Sequence, residues 1–149
     1  MKESAGMTLI VKTVTRFMVW MMLLYGMYLI LHGHLTPGGG FGGGVIIALS
    51  LLSIFLAYGR SYTEKWLDIE SLHAGEAAAI LLFLIVGILG LAAGGIFLLN
   101  FIPSGRLFSL ASAGTMPMLN ILIGIKVGAS LFLAVWVLSD PHLDEGGEL

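Results

Sequence analysis

The residue with the clearest chemical consequence is Lys126, which lies near the middle of an apolar stretch at 117–138. If that stretch crosses a lipid bilayer, a central lysine costs roughly 2.5 to 3.5 kcal/mol on insertion scales. Such a residue needs a partner, water or the loss of its proton. The alternative is a lysine whose side chain extends to the membrane surface and has only structural consequences. Its central position favours a functional or intersubunit role.

Glu76 and His73 form a second titratable group, because residues three positions apart can share one face of a helix. They could begin a proton relay, or Glu76 could be a carboxylate near a helix start that the helix dipole stabilises. Proximity to water favours the second interpretation. We expect Glu76 not to pair with Lys126, which lies about nine residues, or roughly 13 Å, from the opposite end of its own run. A carboxylate from another subunit is the expected partner.

A glycine-rich stretch, HGHLTPGGGFGGG at 32–44, separates two apolar runs. Gly38, Gly40 and Gly43 satisfy the G-x-G-x-x-G spacing, but that motif binds a pyrophosphate only between a strand and a helix. Here a membrane helix precedes it, so nucleotide binding is not predicted. Pro37 ends the first run, and the glycines allow unusual backbone geometry and close helix packing. The stretch is therefore a packing turn or part of an ion path, and we favour the packing turn.

The composition predicts an all-α integral membrane protein. Hydrophobic residues make up 58% of the 149, charged residues only 11%, and the mean hydropathy is +1.00. At about 20 residues per crossing, the chain forms one domain, 1–149, with four transmembrane helices and a glycine-rich outer hairpin between the first two. The predicted spans are about 14–31, 42–58, 74–99 and 117–138, followed by a disordered acidic tail at 139–149.

The positions of basic residues predict the orientation. More basic residues fall on the side of the amino terminus than on the other side, which predicts that both termini lie in the cytoplasm and the protein in the cytoplasmic membrane. The residues on the amino-terminal side are Lys2, Lys12, Arg16, Arg60 and Lys65, and the residue on the other side is Arg106. The histidines then divide between the two sides, so no metal centre is predicted. A net charge of −2 argues against a nucleic-acid partner, and the absence of cysteine excludes Cys-ligated clusters from this chain.

Small residues four positions apart occur in the third and fourth spans. Gly90 with Gly94, and Gly124 with Gly128, predict close approach of helices, within this chain or with a partner. The connection at 59–73 mixes aromatic, apolar and charged residues, which suits a segment lying along the membrane interface.

The segment HGHLTPGGGFGGGVI, followed by a second span and two more with a lysine in the last, resembles the B subunit of Mrp-type cation/proton antiporters, the MnhB-like family. The resemblance implies a small all-helical subunit of a multisubunit sodium/proton antiporter that supports assembly and sodium translocation. The same module occurs in respiratory complexes that carry a hydrogenase or sulfur-reducing arm. The resemblance therefore implies no enzyme activity and no cofactor in this chain, with Na⁺ and H⁺ as transported ions.

The expected partners are other Mrp-type antiporter subunits, lipid and, in the respiratory complexes, a peripheral arm that could hold iron–sulfur clusters. The resemblance also implies two groups of site residues. The candidates for an ion-linked polar network are Lys126, Glu76 and His73. The candidates for a close-packed subunit contact are Pro37, Gly38, Gly39, Gly40, Phe41 and Gly43.

Two other functions stay open at the level of sequence. An autonomous dimeric exporter of small molecules needs a carboxylate in an early span, but neither 17–31 nor 42–58 contains Asp or Glu. A purely structural assembly role is the other alternative, and only Lys126 argues for conduction against it.

Overall fold

The computed structural model describes residues 7–35, 37–102, 105 and 113–139. Within them the chain is helical and contains no strand. The helices are α1 (Leu9–Leu31), α2 (Gly39–Tyr58), α3 (Arg60–Trp66), α4 (Ile69–Gly94) and α5 (Met116–Leu138). All but the short α3 are long and apolar enough to cross a membrane, which confirms the predicted all-α class and the four spans.

The centre of the fold is the contact between α2 and α5, which run in the same direction. Gly44 lies so close to α5 that an added Cβ would stand 2.7 Å from the Gly124 carbonyl oxygen and 3.2 Å from the Gly128 nitrogen. Further along, the rings of Phe55 and Trp136 meet at 5.3 Å. Gly124 and Gly128 therefore do bring helices together, and the neighbour is α2 of the same chain.

Helix α1 packs antiparallel to α2, and glycines again allow the approach. An added Cβ on Gly43 would lie 2.6 Å from the Gly26 carbonyl oxygen. At the other end of this pair, the Tyr58 hydroxyl donates to the Lys12 carbonyl oxygen at 3.1 Å. The contact extends along most of both helices, so α1 and α2 form one packed hairpin.

Helix α4 begins and ends earlier than the predicted span at 74–99. Asp68 caps it by accepting a hydrogen bond from the Glu70 amide at 3.1 Å, which starts the helix at Ile69. Gly95 has a left-handed backbone with φ 76° and ends it. The chain then folds back, so a Cβ on Gly90 would lie 2.6 Å from the Leu99 nitrogen.

This fold-back decides what the glycines of α4 contact. The Phe97 ring covers Gly87, and the Leu99 side chain covers Gly94. Gly90 and Gly94 thus receive the returning segment rather than another helix of this chain, which differs from the close helix approach that their spacing predicts. The starts of two other helices also differ from prediction, since α1 begins at Leu9 rather than about residue 14 and α2 at Gly39 rather than about residue 42.

The predicted acidic tail begins at Ser139, where α5 has just ended, and continues beyond the described residues. Arg106, which entered the orientation argument, also lies outside them, as do Lys2 and Thr36 of the glycine-rich stretch. The orientation therefore stays a prediction.

Candidate functional site

Three polar side chains meet between α4 and α5, and we call them the polar cluster: Lys126, Glu76 and Ser130. The Lys126 ammonium lies 3.1 Å from Glu76 Oε1 and donates to Ser130 Oγ at 2.8 Å. The Ser130 hydroxyl in turn donates to Glu76 Oε1. Each member contacts both others, so the Glu76 carboxylate balances the charge of the lysine while the Ser130 hydroxyl accepts a hydrogen bond from the ammonium.

The expectation that Glu76 cannot reach Lys126 is wrong. Measured from the same side of the fold, Lys126 lies about 18 Å along α5 from Leu138, and Glu76 about 10 Å along α4 from Ile69. The two helices run antiparallel, and the difference in depth that remains is small enough for two long side chains to span. Helical rise from the ends of the predicted spans places the two Cα atoms at different depths, and the length of the lysine and glutamate side chains closes that gap.

Ser130 was missed at the level of sequence although its position carried a signal. It lies four residues after Lys126 and therefore on the same face of α5. His73, the third candidate for the polar network, is exposed one turn earlier on α4. Within the described residues it makes no hydrogen bond to the polar cluster.

A cavity of about 170 Å³ opens beside the polar cluster between α4 and α5. Among the described residues on its wall Lys126 is the one that carries a charge; the others are Ala79, Ile80, Phe83, Leu122, Ile123 and Val127. An apolar surrounding of this kind lowers the local dielectric and strengthens the attraction between Lys126 and Glu76. The ion pair therefore lies on an otherwise hydrocarbon-like wall, where neither partner is easily left unpaired.

The glycine-rich stretch divides into an inner and an outer set. Gly40 is buried directly against the Asn120 backbone, and Gly43 against Ile30. Both pack within this chain. The outer set is exposed or has open space around it and consists of Pro37, Gly38, Phe41 and Gly42. Whether Pro37, Gly38, Gly39 and Phe41 contact another subunit stays a prediction.

The start of α2 needs glycine for its backbone as well as for packing. Gly38 has φ 133° and Gly39 has φ 61°, values that residues with a Cβ rarely adopt. These two glycines turn the chain from α1 into α2. No group of three or more metal-ligating side chains occurs in the part of the chain that the structure describes.

Comparison with known proteins places these features in a family. Residues 10–133 match the family described as "Domain related to MnhB subunit of Na+/H+ antiporter". The B subunit of the Na(+)/H(+) antiporter of Bacillus subtilis is 34% identical over 98 residues, which cover 66% of this chain and 68% of that protein. An uncharacterized protein of Methanocaldococcus jannaschii is 38% identical over 138 residues, which cover 89% of this chain and 52% of that protein.

A solved structure agrees with the sequence comparisons. One chain of the membrane-bound sulfane sulfur reductase, an archaeal respiratory membrane complex, superposes with a TM-score of 0.72 at 37% identity. The match covers 91% of this chain and 59% of that one, so this chain spans little more than half of that chain and of the Methanocaldococcus protein. The family match extends from α1 nearly to the end of α5. The chain therefore belongs to the family of domains related to the MnhB subunit of Na⁺/H⁺ antiporters.

Proposed function

We propose that this chain is a non-catalytic membrane subunit of a multisubunit Na⁺/H⁺ antiporter module, and that it supports both assembly and sodium translocation. The observation that carries the translocation part is the polar cluster in the span of α4 and α5. Its family and its likeness to a chain of a respiratory membrane complex support the subunit part. Na⁺ and H⁺ are the transported ions, and other subunits supply any redox chemistry.

The polar cluster provides oxygen atoms of the kind that bind sodium. Glu76 Oε1 and Ser130 Oγ both face the position that the Lys126 ammonium occupies. Charged and hydroxyl groups held at membrane depth mark ion paths in transporters. A sodium ion that reaches these oxygens competes with the lysine, so binding of one cation displaces the other. The adjoining cavity wall is apolar, so the displaced lysine gives up its proton or reaches water when it leaves the carboxylate.

The outer surface provides the assembly part of the proposal. Phe41 is 65% exposed and Pro37 is exposed beside it, at the turn between α1 and α2. Faces of this composition suit lipid or the helices of other antiporter subunits. In the proposed orientation both termini lie in the cytoplasm. Large apolar side chains also cover the outward faces of α1 and α4, including Phe17, Leu24, Leu84 and Ile88.

The test is sodium flux through the assembled complex. Lys126→Met and Glu76→Gln each remove one charge while nearly keeping the side-chain volume. Glu64→Gln is the matched control, because Glu64 forms an exposed pair with Arg60 at 3.2 Å outside the polar cluster. Sodium-dependent proton exchange is measured in vesicles and divided by the amount of assembled complex.

We expect both cluster variants to lower exchange per complex by about tenfold or more, which corresponds to ~1.4 kcal/mol in the barrier. Glu64→Gln should exchange at the wild-type rate. If the cluster variants assemble and exchange as the wild type does, the chain has no part in translocation.

A further inference from the structure

A second cavity, of about 250 Å³, lies at the opposite side of the fold from the polar cluster, where α1 begins and α2 ends. We call it the Arg16 cavity after the one charged residue among the described residues that line it. Its floor is formed by Val19 and Ile54, which are 4% and 8% exposed. It is thus an apolar cleft with aromatic walls and one cation. The wall residues are Trp20, Tyr58, Tyr62 and Trp66.

Arg16 has no acidic partner within the part of the chain that is described, where the ion pairs are Arg60 with Glu64 and Lys126 with Glu76. A second cation, Lys12, lies one helical turn before Arg16 on α1. Its ammonium stands 5.7 Å from the centre of the Tyr58 ring, which lines the cavity. Two positive charges therefore border the cavity without a described carboxylate to balance them. An arginine in this setting favours a phosphate, which it can bind through two parallel hydrogen bonds.

The cavity lies at the depth of a membrane–water interface. Arg16 is about 10 Å along α1 from Leu9, in the first half of the helix, from where a long basic side chain can extend towards the membrane surface. Tyr58 is the last residue of α2, and Tyr62 stacks on it with ring centres 4.6 Å apart. Trp and Tyr collect at the level of lipid headgroups, where their rings are apolar and their polar atoms reach water.

From this combination we infer that the Arg16 cavity binds an anionic phospholipid. The phosphate headgroup pairs with the Arg16 guanidinium, and the Lys12 ammonium adds attraction from the next turn. The first part of an acyl chain lies in the apolar cleft between Trp20 and Ile54. A neutral headgroup would leave the two positive charges without an anion among the described residues, which is why charge decides the occupant. The inference is independent of whether the polar cluster carries sodium.

The experiment measures lipids that stay bound to the intact complex. The complex containing the full chain is purified from nanodiscs made of equal parts phosphatidylglycerol and phosphatidylcholine, and native mass spectrometry counts the retained lipid of each kind. Arg16→Gln removes the charge and keeps most of the length, and Arg16→Lys keeps the charge. Lys65→Gln is the matched control, because Lys65 is an exposed cation of α3 that does not line the cavity.

The wild-type complex should retain phosphatidylglycerol in preference to phosphatidylcholine. Arg16→Gln should lower that preference by about fivefold, the effect of one basic residue at a membrane surface. Arg16→Lys and Lys65→Gln should keep most of it. If Arg16→Gln prevents assembly, the preference of the wild type and of Arg16→Lys still decides the matter.

Three results would overturn the inference. The first is a wild-type complex without preference for the anionic lipid, and the second is an Arg16→Gln complex that retains it as well as the wild type does. The third comes from a photoreactive residue placed at Trp20. If it crosslinks to another subunit rather than to lipid, a protein helix fills the cavity.

Discussion

The interaction between Lys126 and Glu76 is strong enough to be measured by a double-mutant cycle. At 3.1 Å and an effective dielectric constant of about 20, the direct attraction of the two charges is about 5 kcal/mol. The loss of hydration offsets part of it, and removing one partner leaves the other charge at membrane depth. We therefore expect Lys126→Ala to cost about 3 kcal/mol in stability. Glu76→Ala should cost a similar amount.

The double variant should cost far less than the sum of the two single variants. With both charges gone, no unpaired charge of this pair remains in the membrane, so the coupling free energy should be about 2 kcal/mol or more. The control cycle uses Arg60 and Glu64, a partly exposed pair four residues apart on α3, and the cycle cancels the separate contact of Arg60 with the Trp136 ring. Pairs of that kind couple by about 0.5 kcal/mol or less. The two cycles therefore differ by several-fold in the same chain.

The assay is the midpoint temperature at which the purified complex loses this chain in nanodiscs. For a chain of this size, 1 kcal/mol shifts the midpoint by about 2–4 °C, so Lys126→Ala should lower it by about 6–12 °C. Adding Glu76→Ala should restore part of the loss. The reasoning is refuted if the two effects simply add, because the pair would then contribute no more than two independent side chains.

Two further predictions concern helix packing and helix capping. Gly44→Ala should disrupt the contact between α2 and α5, because the added Cβ would lie 2.7 Å from a backbone oxygen of α5. Gly42→Ala is the matched control and should be neutral or stabilising by up to about 1 kcal/mol, because the space around Gly42 is open. The yield of assembled complex checks this pair, and equal yields would contradict the packing argument. The Ser71 hydroxyl donates a hydrogen bond to Asp68 Oδ2 at 2.5 Å and lowers the pKa of that carboxyl in the folded state. The stabilisation from the charged cap is therefore fully present above the unfolded-state pKa of Asp68, and it is lost as the pH falls through the lower folded-state pKa. Ser71→Ala should raise the pKa of Asp68, as measured by carboxyl NMR titration, and an unchanged titration would show that the hydroxyl does not act on the cap.

The number and class of the helices could be predicted from the sequence, because the hydropathy of each stretch of chain depends only on the residues in that stretch. The bounds of α5 were nearly correct, since Pro117 and the end of the apolar run mark them. The end of α4 could not be found in the same way. Phe97 and Leu99 are as apolar as the helix before them, so only Gly95 marked the point where the chain turns back. Hydropathy cannot separate an apolar helix from an apolar segment that packs on it.

The polar cluster was harder to predict than the fold. Lys126 and Glu76 were identified one by one from their charge in apolar surroundings, but their pairing depends on the relative depth of α4 and α5. That depth follows from helix ends that are the least certain part of a sequence-based prediction. Ser130 carries no charge, so its role became visible only through its contacts with the other two. Neither the partner nor the third member follows from composition.

The most direct test of the central claim, that this chain works as an antiporter subunit, is to purify it from gently solubilised native membranes and identify the proteins that copurify by mass spectrometry. We predict recovery with several larger membrane subunits of a sodium/proton antiporter, in stoichiometric amounts. Metal-cluster subunits in the same preparation would identify a redox-driven parent complex. Recovery of a homodimer alone would contradict the account and favour an autonomous small transporter.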